Sequence, residues 1–151
     1  MFSTHKTQGS LTGLVPGMFL NKQGERVPCP DPAAGLYVQS RAGITKHVTI
    51  PPDAMAFQIG ETSQIHSGGV LQATPHAVRG CRAGDVTREA LAVFMEPECD
   101  GDMDLPPSKT LRDVQDASIA LPTGVRTLSQ RWKPGMNFGD FSIATFAAFY
   151  D

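Results

Sequence analysis

Closely spaced chain breakers constrain this sequence most. Fifteen Gly and twelve Pro run through 151 residues, and the apolar stretches between them suit strands better than long helices. An all-β domain with many turns is the natural outcome. Candidate strands cover residues 11–14, 17–20, 36–39, 47–50, 54–59, 72–74, 77–79 and 88–95. Turn chemistry separates them: Asn21 to Arg26 reads as a hairpin turn, Ser67-Gly68-Gly69 offers residues that accept positive φ, and prolines stiffen residues 29–35.

After Pro97 the pattern changes. Residues 106–117 can carry a short helix, 121–135 read as loop, and the tail has two readings. Asn137 can cap a helix with Asp140 three residues on, and Ile143, Phe146, Ala147 and Tyr150 then recur at helical spacing. Phe141, Ile143, Thr145, Ala147 and Phe149 also alternate as a strand would, but the cap favours the helix. The length suits one domain. In it, residues 1–97 form the core and residues 98–151 pack on that core as loop and helix.

A formal net charge of -2 with no Lys/Arg run argues against nucleic acid or an anionic membrane surface as partner. No apolar run approaches the roughly 20 residues of a membrane span, and the N-terminus lacks the pattern of a secretion signal. A soluble, cytoplasmic protein acting on a small molecule is the expectation. Cys29, Cys81 and Cys99 are odd in number, far apart and without a C-x-x-C pair, which suits reduced thiols.

Side chains two apart on a strand share a face, so His5 and Thr7 would point together. The same rule puts Arg88, Ala90, Ala92 and Phe94 on one side of residues 88–95, with Glu89, Leu91, Val93 and Met95 on the other. An arginine on an otherwise small and apolar face requires an anion, best of all a carboxylate taken in bidentate fashion. Asp85 or Glu89 is the local alternative, although the strand phase turns Glu89 away. Pro75 sets the direction of His76 at the start of a strand. His66 reads as a solvated loop residue and His47 as a strand surface residue.

The run QIGETSQIHSGGVLQATPHAVRG followed by TREALAVFMEP resembles the C-terminal half of the iron(II)- and 2-oxoglutarate-dependent dioxygenases of the isopenicillin N synthase-like group. HKTQGSLTGL is similar to the H-x-D-x-G-x-L-T-x-L segment that opens their metal site. The resemblance covers residues 3–97 and implies a double-stranded β-helix, or jelly roll, with a C-terminal helix and without the N-terminal part of the family fold. It implies that His5 and His76 ligate Fe(II), and that Arg88 holds the distal carboxylate of 2-oxoglutarate.

Two positions depart from the family pattern. Thr7 stands where the family has its carboxylate ligand, and Ala90 stands where a hydroxyl usually helps bind the co-substrate. The resemblance therefore implies an oxygenase-like protein with a weakened metal site, oxidising a small organic substrate if active. The alternative is a non-catalytic jelly roll that binds a small anion or a partner chain. A halide at the vacated iron position ranks low, because Thr is bulkier than the Ala or Gly of family halogenases. Without the family's N-terminal region, exposed strand edges lead us to expect self-association, most simply as a two-fold dimer.

Overall fold

The computed structural model describes residues 4–40, 42–82, 84–115, 121 and 124–150. Nine short strands lie among them, paired antiparallel into three sheets of three. In the first sheet β1 (Leu11–Leu14) runs between β6 (Ala56–Ile59) and β9 (Ala92–Met95). In the second, β2 (Met18–Leu20) runs between β3 (Arg26–Val27) and β8 (Thr87–Glu89). In the third, β4 (Gly35–Gln39) runs between β5 (Thr45–Val48) and β7 (His76–Arg79).

Cross-strand partners project to the same side, so the register identifies the faces. Thr12 lies opposite Gln58 and Phe94, and Leu14 lies opposite Ala56 and Ala92. At the Leu14 end this side faces inward, because Leu14 and Ala92 share a cleft with Leu36, Val48 and Val78 of the third sheet, whereas Phe94 at the other end is exposed. The outer side carries Gly13, Phe57 and Val93, and the two larger residues are exposed.

Two strand expectations are corrected. Residues 72–74 form no strand. The Ala73 amide donates instead to Gln64 Oε1 at 2.8 Å, and Pro75 has no amide to continue a ladder. Residues 88–95 are two strands rather than one. β8 pairs with β2 and β9 with β1, so Ala90 and Leu91 turn the corner between sheets. The facing strand turns at the same level through Val15, Pro16 and Gly17, where proline again removes a ladder donor.

The helix α1 (Glu61–His66) was not expected, and His66 sits in its last turn rather than in a loop. Its N-terminus is satisfied from far along the chain. The amides of Glu61 and Thr62 donate to the carbonyls of Thr7 and Gln8 at 2.8 and 3.0 Å. Thr62 Oγ1 also donates to Gln8 O at 2.7 Å, and Ser63 Oγ to Ser10 O at 2.8 Å. The two segments touch so closely that a Cβ on Gly60 would stand 1.8 Å from Gly9 O. The segment 7–10, which leads from His5 to β1, is thereby bolted to α1.

A short helix, α2 (Leu111–Val114), forms where expected, although residues 116 and 117 of that stretch lie outside the described residues. Within 121–135, residues 121 and 124–135 are loop, as read, except for a 3-10 turn at Leu128–Gln130; residues 122 and 123 lie outside the described residues. The tail is helix α3 (Phe138–Tyr150), and the Asp140 amide donates to Asn137 Oδ1 at 2.8 Å as a cap should. The helix presents a different stripe to the core from the one the spacing suggested. Phe138, Phe141 and Thr145 are buried, while Ile143 and Phe146 are exposed. No helix among the described residues is long and apolar enough to cross a membrane. The three cysteines are free thiols.

The main buried cluster joins Ile65 of α1 to Met103, Val114, Leu128, Trp132, Phe138 and Phe141, so the densest packing lies beneath the helices. An ion pair crosses it. Arg131 Nη2 donates to Glu61 Oε1 at 2.5 Å, with both side chains only 1% exposed. Arg131 Nη1 donates to Thr145 Oγ1 at 3.0 Å, which ties in α3. Replacing Arg131 with Met strands the Glu61 carboxylate in a dry core, and urea unfolding should show a loss of about 3–5 kcal/mol. Combining it with Glu61→Leu should recover much of that loss, because no buried charge then remains.

Candidate active site

Between the sheets lies a cleft of about 350 Å³. Its walls are largely aliphatic, and Arg88 enters it from β8 opposite Phe19. Gly17 makes room for the guanidinium: a Cβ there would stand 2.8 Å from Arg88 Nε. Among the described residues Arg88 has no hydrogen-bond or ion-pair partner. Asp85 pairs instead with Lys22 at the surface, at 2.6 Å. Glu89 lines an adjoining groove with Arg26 and Met18 and not the cleft itself. A half-buried cation without an acceptor, opening on an apolar cleft, is a ready receptor for an anion. Ala90 lines the same cleft and brings no hydroxyl to it.

The two histidines meet. His5 and His76 exchange backbone hydrogen bonds of 3.0 Å in both directions, and their rings pack edge to face with centroids 4.2 Å apart. His76 is buried and His5 is exposed. Strand parity links this pair to the cleft: Val78, two residues along β7 from His76, lines the cleft wall. Thr7 is half-buried, and its carbonyl is taken by the start of α1.

Around His76 the contacts concentrate on Nδ1. That atom meets Gln58 Nε2, reaching across from β6, and lies 3.1 Å from Thr74 O. Directly opposite Gln58 stands Thr12, whose buried Oγ1 has no hydrogen-bond partner among the described residues. Burial pushes the His76 imidazole down to about 4 from its ordinary 6.5; the nearby His5 adds to the fall, and the Thr74 carbonyl opposes it. The ring is therefore neutral at physiological pH, the form a metal ligand requires.

This depression has a consequence for stability. Between pH 6.5 and about 4 the unfolded chain takes up a proton that folded His76 refuses. The contribution is complete above the unfolded value and declines as pH falls towards the folded one, by about 3 kcal/mol in all. Urea unfolding at pH 7 and pH 4.5 should reveal the loss, and His76→Leu should reduce its size.

As metal donors, the two imidazoles suit a divalent transition ion, whereas the third expected position offers only a neutral hydroxyl. Among the described residues no three His, Cys, Asp or Glu side chains come together. The donors fit a two-imidazole centre, not a centre completed by a carboxylate. His66 lies elsewhere, with Nε2 hydrogen-bonded to Asp102 O at 2.9 Å.

Sequence reasoning places none of three groups near the site, and reads His47 as a strand surface residue. His47 stacks on Tyr37, with centroids 4.7 Å apart, and also lines the cleft. Asp31 lines it as well, its carboxyl held below the usual range chiefly by the Ala33 amide and then by that of Arg82. Gln58 is the third, and its signal was present: it is a polar side chain in an otherwise apolar strand, on the inward side.

No protein-family model and no curated protein sequence matches the chain. Solved structures do. Full-length Neurospora crassa T7H in complex with alpha-KG superimposes with a TM-score of 0.60 at 21% identity, over 97% of this chain and 40% of that one. A 2OG-Fe(II) oxygenase family protein from Caulobacter crescentus gives a TM-score of 0.60 at 17% identity, over 97% of this chain and 41% of its own. JOX2 in complex with 2OG, Fe and JA gives 0.56 at 23% identity, over 93% of this chain and 32% of that one. The fold is thus the jelly roll of the iron(II)/2-oxoglutarate oxygenases. The chain spans about two fifths of the length of the first of these structures.

Proposed function

We propose that this chain binds 2-oxoglutarate in the cleft, with the distal carboxylate on Arg88, beside a divalent metal held by His5 and His76, and that it oxidises a small organic substrate. The observation that carries this reading is Arg88: a cation without a partner among the described residues, given room by Gly17 and opening on an apolar cleft in a fold shared with 2-oxoglutarate oxygenases. The guanidinium fork fixes both the position and the direction of a dicarboxylate. Leu14, Leu36 and Val78 exclude water from the chain of the bound acid. Iron, when bound, supplies the activation of dioxygen. Ala90 forgoes a hydrogen bond worth roughly 0.5–1.5 kcal/mol, which the charge on Arg88 outweighs.

A second reading, an anion-binding protein without redox chemistry, is favoured by Thr7, which brings no charge to the metal position. One experiment separates the two. Protein supplied with Fe(II), 2-oxoglutarate, dioxygen and ascorbate as reductant should form succinate slowly even without its organic substrate, and the Arg88→Gln variant should form none. Binding of 2-oxoglutarate without succinate would favour the second reading. Absence of binding would overturn the first reading.

A further inference from the structure

We propose that Gln58 is a positioning residue that sets the tautomer of His76, and so determines whether that ring presents a lone pair or a proton at Nε2. The inference rests on the reading of His76 as a metal ligand and extends it to a residue outside the ligand set.

A neutral imidazole carries one proton on one of two nitrogens. In this structure Nδ1 of His76 is approached on one side by a donor, Gln58 Nε2, and on another by an acceptor, the Thr74 carbonyl at 3.1 Å. Only one of these contacts can be a hydrogen bond in a given tautomer. With the Gln58 amide as it stands, its N–H donates to a bare Nδ1 and the ring proton resides on Nε2, where it blocks coordination. Without that donor, Thr74 O becomes the only partner, Nδ1 takes the proton, and Nε2 is bare.

Thr12 gives the amide somewhere else to go. Its hydroxyl is buried, has no hydrogen-bond partner among the described residues, and lies directly across the β1–β6 ladder from Gln58 on the same face. Such a hydroxyl is costly unless a partner reaches it at least part of the time. Turning the Gln58 amide from His76 towards Thr12 satisfies the hydroxyl and releases Nδ1 to Thr74. The amide thus has two positions, and the metal-ready ring belongs to the second.

Long-range proton–nitrogen NMR of histidine rings, on metal-free protein at pH 7, reads the tautomer directly. Wild-type His76 should carry its proton on Nε2. In Gln58→Leu, which removes the donor, and in Gln58→Glu, whose carboxylate accepts from Nδ1, the proton should move to Nδ1. Two variants of different chemistry guard against one failing to fold. The same tautomer in all three proteins would overturn the proposal, since a merely structural role for Gln58 would leave it unchanged. Titration with Mn(II) then tests the underlying reading separately. Both variants should bind roughly tenfold more tightly than wild type. If the tautomer moves while no metal perturbs the His76 ring, the ligand reading fails and the tautomer assignment stands.

Discussion

Changing Arg88 to glutamine is expected to weaken 2-oxoglutarate binding by roughly 100-fold or more, because two charge-assisted hydrogen bonds are lost and the carboxylate must still leave water. Glutamine keeps a polar side chain but ends about where Nε of arginine lies, so it removes the charge, the fork and the reach of the guanidinium. Gly17 still accommodates it, and Arg88 makes no ion pair among the described residues whose loss would destabilise the fold. Glu89 supplies the control, since it opens on a different groove and Glu89→Gln should leave the affinity within about twofold. Calorimetry with 2-oxoglutarate, alongside thermal unfolding of each variant, checks both. Equal losses in the two variants would indicate a diffuse electrostatic effect rather than a specific receptor.

The second large effect lies at Thr7. Replacing it with aspartate should raise affinity for Mn(II) by more than roughly 100-fold, because it restores a hard oxygen ligand and a negative charge together, whereas changes outside the ligand shell alone are worth about 10–100-fold. The backbone at this position is already held, with the Thr7 carbonyl accepting from Glu61 N at 2.8 Å, so the new carboxylate starts from a fixed Cα. Thr7→Asn, with the same shape and no charge, should recover only a small part of the gain. Similar affinities for threonine, asparagine and aspartate would mean that the third donor comes from elsewhere in the chain.

The strands, the hairpin at Asn21 and the capped C-terminal helix were legible in the sequence because each rests on local chemistry. Asn21 Oδ1, for instance, accepts from the amides of Gln23 and Glu25 at 3.0 and 2.9 Å, all within one turn. What escaped was non-local. Helix α1 is only six residues long. Its first amides and hydroxyls are satisfied by carbonyls more than fifty positions away, so no signal beside it announces its start. The stripe on α3 was misread for a related reason. Both sides of that helix are apolar, and only packing against Arg131 and the buried cluster selects Phe141 over Ile143. Strand phase brought Arg88 and Ala90 to one wall, yet it treated residues 88–95 as continuous. The corner is fixed by Pro16 on the neighbouring strand, which cannot be read from residues 88–95 themselves. Gln58 and Thr12 come together only once the register of β1 and β6 is known.

The most direct measurement is a crystal structure of the full chain grown with Mn(II) and 2-oxoglutarate in place of iron and turnover. The account predicts the distal carboxylate of the acid on the Arg88 guanidinium, inside the cleft walled by Leu14, Leu36 and Val78, with manganese ligated by a ring nitrogen of each of His5 and His76. A carboxylate bound away from Arg88, or manganese bound without either histidine, would contradict it.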